Sequence, residues 1–393
     1  ILKLSIDLRL KVNKKKKNIE NFIILFQKIK KEDWNTCVNN DHPFIQYEFL
    51  FALEKSESAC SQTGWKPYHY IEYKNDEIIA LCPLYLKSHS YGEYIFDHAW
   101  ADAYHRHGLN YYPKLQSAIP FTPVTGERIF VNKKIKNKKD KIKEIINNII
   151  NEAKRLNVSS AHFNFIKNPN DWDANEPIMI REGIQFHWKN NDYKSFDDFL
   201  STLSSRKRKQ IKKERQCLQN NNLEVKLLTG DKLKKEDFDF FYECYLDTTG
   251  RKWGSTYLKK EFFMNILSNF KDKILLMIAF QDNIKIASAL NFLSETHLYG
   301  RLWGSKFEVP YLHFELCYYQ AIDYAIANKI KHVEAGAQGE HKLSRGYLPQ
   351  KTWSAHWIKE KDFSTAINKF LNEEAKMISS HKENLEALGP YKN

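Results

Sequence analysis

Apolar and polar positions fall into blocks that repeat along the chain. Leu275–Phe280 is a continuous apolar run of strand length, Gln281-Asp282-Asn283 supplies turn chemistry, and Ile284–Phe292 is a second apolar run. Ser294-Glu295-Thr296 turns the chain again before His297–Trp303, so a three-stranded meander is predicted. Leu312, Leu316, Tyr319, Ile322 and Ile326 then recur at helical spacing over Leu312–Ala327, and Lys331–Ala335 reads as a strand. The first half has the same order. Tyr68–Tyr73, Ile78–Lys87 and Tyr94–Asp97, separated by Lys74-Asn75-Asp76 and Ser88-His89-Ser90, predict a second meander. Ile142, Ile145, Ile146, Ile149 and Ile150 stripe a helix near Asp140–Leu156, and a strand follows at Ser160–Phe165. The simplest account is an α/β (α+β) chain of two related modules in tandem, each a mixed sheet flanked by helices. Identity between the halves is weak, though a Tyr-Gly pair recurs at Tyr91-Gly92 and Tyr299-Gly300.

Between the halves, Phe196–Gln219 is strongly helical and holds Ser204-Ser-Arg-Lys-Arg-Lys-Gln-Ile-Lys-Lys-Glu-Arg215. Such a run is commonly a solvated helix face. Here Ser204 and Ser205 precede it as phosphate-binding hydroxyls, and Arg206 with Arg208 can grip a phosphate bidentately. The expected division is an extension at 1–20, a first module at 21–190, the basic helical segment at 191–225 and a second module at 226–393.

Composition supports a folded chain. Hydrophobic residues make up 42% of the 393 and aromatics 14%, ample material for two cores. No run of 18 apolar residues occurs, so no spanning helix is expected. Residue 1 is Ile, and Lys14–Lys17 has no apolar stretch beside it, unlike a secretory signal. Cys37, Cys60, Cys82, Cys217, Cys244 and Cys317 show no C-x-x-C pair, which reads as reduced thiols in a cytoplasmic protein. The formal charge of +13 favours anionic partners: nucleic acid, phosphates or a membrane surface.

Chemistry-bearing residues concentrate in the last third. Gly300 and Gly304 sit in a strand-like run, Gly336 and Gly339 just past another, where backbone must bend or be approached closely. Arg301, Glu334, Glu340, His341, Lys342 and Arg345 surround them, which suggests a site.

Longer stretches carry a resemblance. His42-Pro-Phe-Ile-Gln-Tyr-Glu-Phe-Leu50, Pro83-Leu-Tyr-Leu-Lys-Ser-His-Ser-Tyr-Gly-Glu-Tyr94, Trp100-Ala-Asp-Ala-Tyr104, Tyr111-Tyr-Pro-Lys-Leu115, Ile119-Pro-Phe-Thr-Pro-Val-Thr-Gly126, Ser204–Lys209, Tyr299-Gly-Arg301 and Glu334–Gly346 resemble the FemAB-like proteins of peptidoglycan biosynthesis or recognition. That resemblance spans residues 42 to about 357 and implies tandem GNAT-type modules. It implies transfer of an acyl or aminoacyl group to an amine, such as that of a cell-envelope precursor.

Acyl transfer to an amine needs a proton acceptor, an activated donor and oxyanion stabilisation. The candidate bases are carboxylates at strand ends: Asp97, Asp102, Glu334 and Glu340. Glu340 beside His341 is the first choice, with Lys342, Arg345 and Arg301 holding an anionic substrate. Asp102 is the second, with Tyr104, His105 and Arg106 as sugar or phosphate contacts. A metal set of Asp97, His98, Asp102, His105 and His107 on an extended chain lacks a further ligand, so no metal is expected. The turn that binds coenzyme A in GNAT enzymes is missing from Ser305-Lys-Phe-Glu-Val-Pro-Tyr-Leu-His313. The donor therefore stays open between aminoacyl-tRNA, gripped by Ser205, Arg206 and Arg208, and acyl-CoA, with no resident cofactor. The acceptor is expected to be an anionic small molecule or glycopeptide, with the protein cytoplasmic or attached peripherally at the inner membrane face. The rival reading is a non-catalytic protein that binds an anionic glycan, lipid head group or RNA in a basic groove.

Overall fold

A computed structural model describes residues 21–392 apart from 24–25, 39–40, 254–255 and 338. The proposed extension at 1–20 lies outside the described residues. The first half runs β1 (Phe22–Ile23), α1 (Lys31–Val38), α2 (Tyr47–Lys55), β2 (Trp65–Pro67), β3 (His69–Lys74), β4 (Glu77–Cys82), β5 (Tyr85–Lys87), α3 (His98–Arg106), β6 (Lys114–Ser117), β7 (Phe130–Val131), α4 (Lys138–Arg155), β8 (Ser160–Ile166) and β9 (Met179–Lys189). Helices α5 (Phe196–Thr202) and α6 (Ser205–Gln219) lead to β10 (Leu223–Thr229), α7 (Lys235–Trp253), α8 (Lys260–Asn269), β11 (Ile274–Gln281), β12 (Ile284–Leu293) and β13 (His297–Ser305). There follow α9 (Leu312–Phe314), a π-helical turn (Glu315–Tyr319), α10 (Gln320–Ala327), β14 (His332–Glu334), a 3-10 turn (Glu340–Arg345), β15 (Leu348–Ile358) and α11 (Lys361–Ala387).

The mixed α/β class holds, and the two predicted hairpins fold alike. Asn75-Asp76 and Asp282-Asn283 both adopt positive φ (51° and 62°, 50° and 65°) between paired strands. Asn and Asp tolerate this left-handed backbone, whose twist matches that of the flanking strands. The isoleucine stripe of α4 is buried, and Asn137 caps the helix by accepting from the Asp140 N–H.

One expectation needs correction and two readings are refined. Tyr94–Asp97 is not a strand; Tyr94 takes φ 59°, and Asp97 immediately precedes α3. The third strand of the first meander is β6, reached only after that helix. Residues 98–106 are helical, so alternate side chains there do not share a face, and the extended-chain metal set has no geometric basis. Phe196–Gln219 is two helices, broken where Leu203 bridges to Tyr391.

The first meander also splits. Pro83 cannot donate to a ladder, and there the strands part: β1-β3-β4-β7 form a small sheet, while β2, β5 and β6 join an eleven-stranded one. That sheet runs β10-β11-β12-β13-β14-β9-β15-β8-β6-β5-β2. Its centre is an exchange. Strand β9, from the first half, pairs with β14 of the second, while β15, from the second, pairs with β8 of the first. The two exchanged strands pair antiparallel with each other from Leu348↔His187 to His356↔Met179. The core also crosses the halves: Phe44 of the first half meets Phe292 (ring centres 5.0 Å apart) and Phe49 meets Phe262 (5.5 Å).

Helix α7 lies directly on β13. A Cβ at Gly304 would sit 2.1 Å from the Cys244 carbonyl oxygen, a backbone atom that cannot swing away. Gly304→Ala is therefore expected to lower unfolding free energy by about 2–3 kcal/mol. Chemical denaturation checks this, and an unchanged midpoint would mean that α7 does not sit so closely on the strand.

Candidate functional site

Strands β13, β14 and β9 each carry polar residues two apart: His297 and Tyr299; His332 and Glu334; Gln185, His187 and Lys189. The register places Tyr299 beside Glu334 and Glu334 beside His187, so one face of the sheet is polar in the middle of the molecule. Past Tyr299 and Glu334 the parallel pairing of β13 and β14 ends, while β13 continues to Ser305. An extra residue, Arg301, bulges β13 against β12 between Gly300 and Leu302.

This polar face floors a cleft of about 840 Å³. The first half contributes Asp41, His42, Thr125, Gly126, Lys133, Lys138 and Lys167; β9 adds His187 and Lys189. The second half supplies Ser294, His297, Tyr299, His332, Glu334, Lys351 and Lys382.

Glu334 lies at the floor and is 6% exposed. Its Oε2 has no hydrogen-bond partner, and the nearest imidazole nitrogens, of His187 and His297, are 4.0 and 3.9 Å from the carboxyl oxygens. Burial raises this carboxyl to about 8, against the pull of the Arg301 charge. The surrounding histidines move the other way. Burial lowers His42 and His187 to about 3 and His297 to about 4, so all three are neutral around neutral pH. Their rings pack: His297 stacks on Tyr299 (5.4 Å) and on His332 (4.6 Å), and His42 lies 5.4 Å from Tyr299. His42 is held from the first half by Thr125 O at 3.2 Å.

The rim is cationic. Lys138 and Lys382 have carboxylate neighbours in Glu127 (3.8 Å) and Glu386, and Lys351 meets Glu182 at 2.8 Å. Among the described residues Lys133, Lys167 and Lys189 make no ion pair. The cleft thus joins a poised carboxyl at its base to uncompensated positive charge at its mouth.

Of the residues singled out by sequence, Glu334 lies in this cleft and the others do not. Glu340 starts the 3-10 turn, is 68% exposed at its side chain, and faces His381 at 3.4 Å. His341 Nε2 meets the Tyr318 hydroxyl at 2.8 Å. Lys342 is buried and donates to Gly336 O (2.9 Å), closing the glycine loop; burial lowers it to about 8. Arg345 is buried against Glu214 of α6 (3.1 Å) and stacks over Phe314 at 3.5 Å. Arg301 spans the halves, donating to Phe121 O at 2.6 Å. Asp102, His105 and Arg106 are exposed on α3, whereas Tyr104 packs on Phe363 (4.2 Å) in the core. Asp97 belongs to a separate buried network with Lys114 and the Tyr111 hydroxyl (2.6 Å); burial would raise it, but the Lys114 charge outweighs this and holds it well below the carboxylate range. On α6, Ser205 and Arg206 are exposed, and Arg208 reaches Leu203 O and Ser205 Oγ, both at 3.5 Å. His42, His187, His297 and His332 were not anticipated; the period-two polar pattern on β9, β13 and β14 is the signal that marks all but His42.

Comparison with known proteins then fixes the family. The match to the FemAB-like family, peptidoglycan biosynthesis/recognition, covers residues 25–393. The chain belongs to the FemAB-like family. Among solved structures, it is similar to FemX at 12% identity and a TM-score of 0.50, over 89% of this chain and 100% of that one. It is similar to L-PGS from Bacillus licheniformis at 10% identity and a TM-score of 0.50, over 84% of this chain and 96% of that one. No curated protein matches it in sequence. This FemAB-like protein shares its mixed α/β fold with FemX, and among the described residues no helix is long and apolar enough to cross a membrane.

The histidines give the cleft a pH signature. A histidine held at about 3 in the fold but ordinary when unfolded takes up its proton only on unfolding between those values. Its contribution is fully present above about 6.5 and is lost as pH falls toward 3. His187→Gln should therefore reduce the acid-side loss of stability by about 1–2 kcal/mol at pH near 5. Denaturation midpoints of both proteins at neutral and acid pH test it, and parallel losses would show that His187 already titrates normally.

Proposed function

We propose that this FemAB-like protein transfers an acyl or aminoacyl group to an amine, with Glu334 as the proton acceptor. The observation that carries the reading is one buried carboxyl, raised to about 8, at the floor of a lysine-rimmed cleft built by both halves. The amine nitrogen attacks the ester or thioester carbonyl of the donor and a C–N bond forms. The nitrogen loses its proton to the Glu334 carboxylate, and collapse of the tetrahedral oxyanion expels the alcohol or thiol, which recovers a proton. A base titrating near the working pH combines an adequate ionised fraction with enough basicity to accept that proton. The neutral imidazoles on either side are poor proton acceptors, which leaves Glu334 as the base at the floor.

The rim favours an acceptor carrying negative charge, such as an anionic glycopeptide precursor, because Lys133, Lys167 and Lys189 have no carboxylate partner among the described residues. Work on such a precursor would take place in the cytoplasm or at the inner membrane face. For the donor, the exposed Arg206, Lys209 and Lys213 of α6 favour aminoacyl-tRNA over acyl-CoA. Glu340 and Asp102, both solvent-exposed, rank behind Glu334 as bases.

Glu334→Gln should preserve the fold and lower turnover by about a hundredfold or more, and wild-type kcat/KM should rise with pH to a plateau above about 8. The assay follows transfer from aminoacylated tRNA and from acetyl-CoA to a lysine-containing glycopeptide. Unchanged turnover in the Gln variant would remove Glu334 from the chemistry.

A further inference from the structure

A second cavity, of about 580 Å³, opens where β13 hands over to α9. Its chemistry is opposite to that of the cleft. Trp303, Phe307, Tyr311, His313 and Phe314 line it, and among the described residues its one charged lining residue is Glu308, with no lysine or arginine. Lys306, the nearest in sequence, reaches Glu243 instead, at 3.1 Å. Arg345 lies over Phe314 at 3.5 Å, and its charge is matched by Glu214 at 3.1 Å.

These rings do not form a closed core. Phe307 is 57% exposed and Tyr311 38% exposed. Tyr311 also holds φ 66°, a left-handed backbone that costs a bulky residue energy and persists where surroundings impose it. Trp303 and His313 meet edge to face at 4.8 Å. The Trp303 Nε1–H is buried and has no acceptor, so a ligand oxygen would satisfy a donor that the protein leaves unpaired.

Ring faces carry negative electrostatic potential and attract cations, and a lone carboxylate adds to that attraction. Among the described residues a phosphate would meet Glu308 and no counter-charge. We propose that this cavity binds an organic cation, an ammonium group with an oxygen acceptor a few bonds away, with the charge over Trp303, Phe307 and Tyr311 beside Glu308 and the oxygen on Trp303 Nε1. The site is separate from the Glu334 cleft and stands whether or not Glu334 acts as the base.

Choline is a suitable probe, because it carries a cationic head and a hydroxyl. Its neutral isostere, with carbon in place of nitrogen, has the same shape without the charge. Calorimetric titration of the wild-type chain should show saturable choline binding, with the isostere weaker by about tenfold or more. Phe307→Ala and Glu308→Gln, both at exposed positions, should each weaken choline several-fold at an unchanged thermal midpoint. Equal affinity for choline and its isostere would overturn the proposal in favour of a merely apolar pocket. Competition by adenosine monophosphate for the same site would overturn it in favour of a nucleobase. Failure of choline to saturate the wild-type protein would also overturn it, and that comparison needs no variant to fold.

Discussion

The antiparallel ladder between β9 and β15 is the constraint on which the rest of the structure depends. Each strand completes the sheet of the opposite half, so the halves cannot separate without breaking the ladder and both of its outer pairings. The pairing of β9 with β14, on the other side of β9, sets His187 beside Glu334, and β13, across β14, brings His297 to the same face. A backbone arrangement thus creates the polar floor. The first half then closes over it through His42 and the Thr125-Gly126 segment, where a Cβ at Gly126 would lie 3.0 Å from His42 Nε2. The cleft is lined by residues from both halves of the chain, and neither half supplies it alone.

Two electrostatic arrangements coexist in that cleft and depend on each other. At the floor, burial keeps an acid protonated to unusually high pH and the histidines unprotonated to unusually low pH. No net charge therefore has to be accommodated there at neutral pH, which avoids the cost of an uncompensated buried ion. At the mouth, lysines stay in water and keep their charge at little cost. In the proposed reaction a substrate would place its anionic part on the lysines and its reacting amine at the floor, where the ionised fraction of Glu334 accepts the proton. The aromatic cavity beyond β13 has, among the described residues, one carboxylate and no cation, so the two proposed sites call for chemically different groups.

Much of the fold was legible because its signals are local. Asn75-Asp76 and Asp282-Asn283 announce their turns through residues that tolerate positive φ, and the isoleucines of α4 announce a helix by spacing. The strand exchange has no such local signature, since β9 and β15 find partners far away in sequence. The segment Tyr94–Asp97 reads as a strand by composition, yet tertiary packing sets its conformation and starts α3 there. For the site, charge density along the chain pointed toward Glu340–Arg345, but neighbours in sequence face different ways. Lys342 and Arg345 turn inward to brace a loop and a helix, and Glu340 turns out to solvent. Glu334 stood among the candidate carboxylates but in a less charged stretch, and its distinction is burial, which only the three-dimensional structure reveals. The histidines around it are spread over more than 290 residues of chain, from His42 to His332, and only the sheet assembles them.

The central claim is that Glu334 is a protonated, buried acid at neutral pH, poised to ionise just above it. Infrared difference spectra between the wild type and Glu334→Gln, recorded across a pH titration, isolate the carbonyl stretch of that one carboxyl without needing a substrate. The account predicts a protonated-acid band present at neutral pH that converts to carboxylate with a midpoint near about 8. A carboxylate band already complete in mildly acidic solution would contradict it.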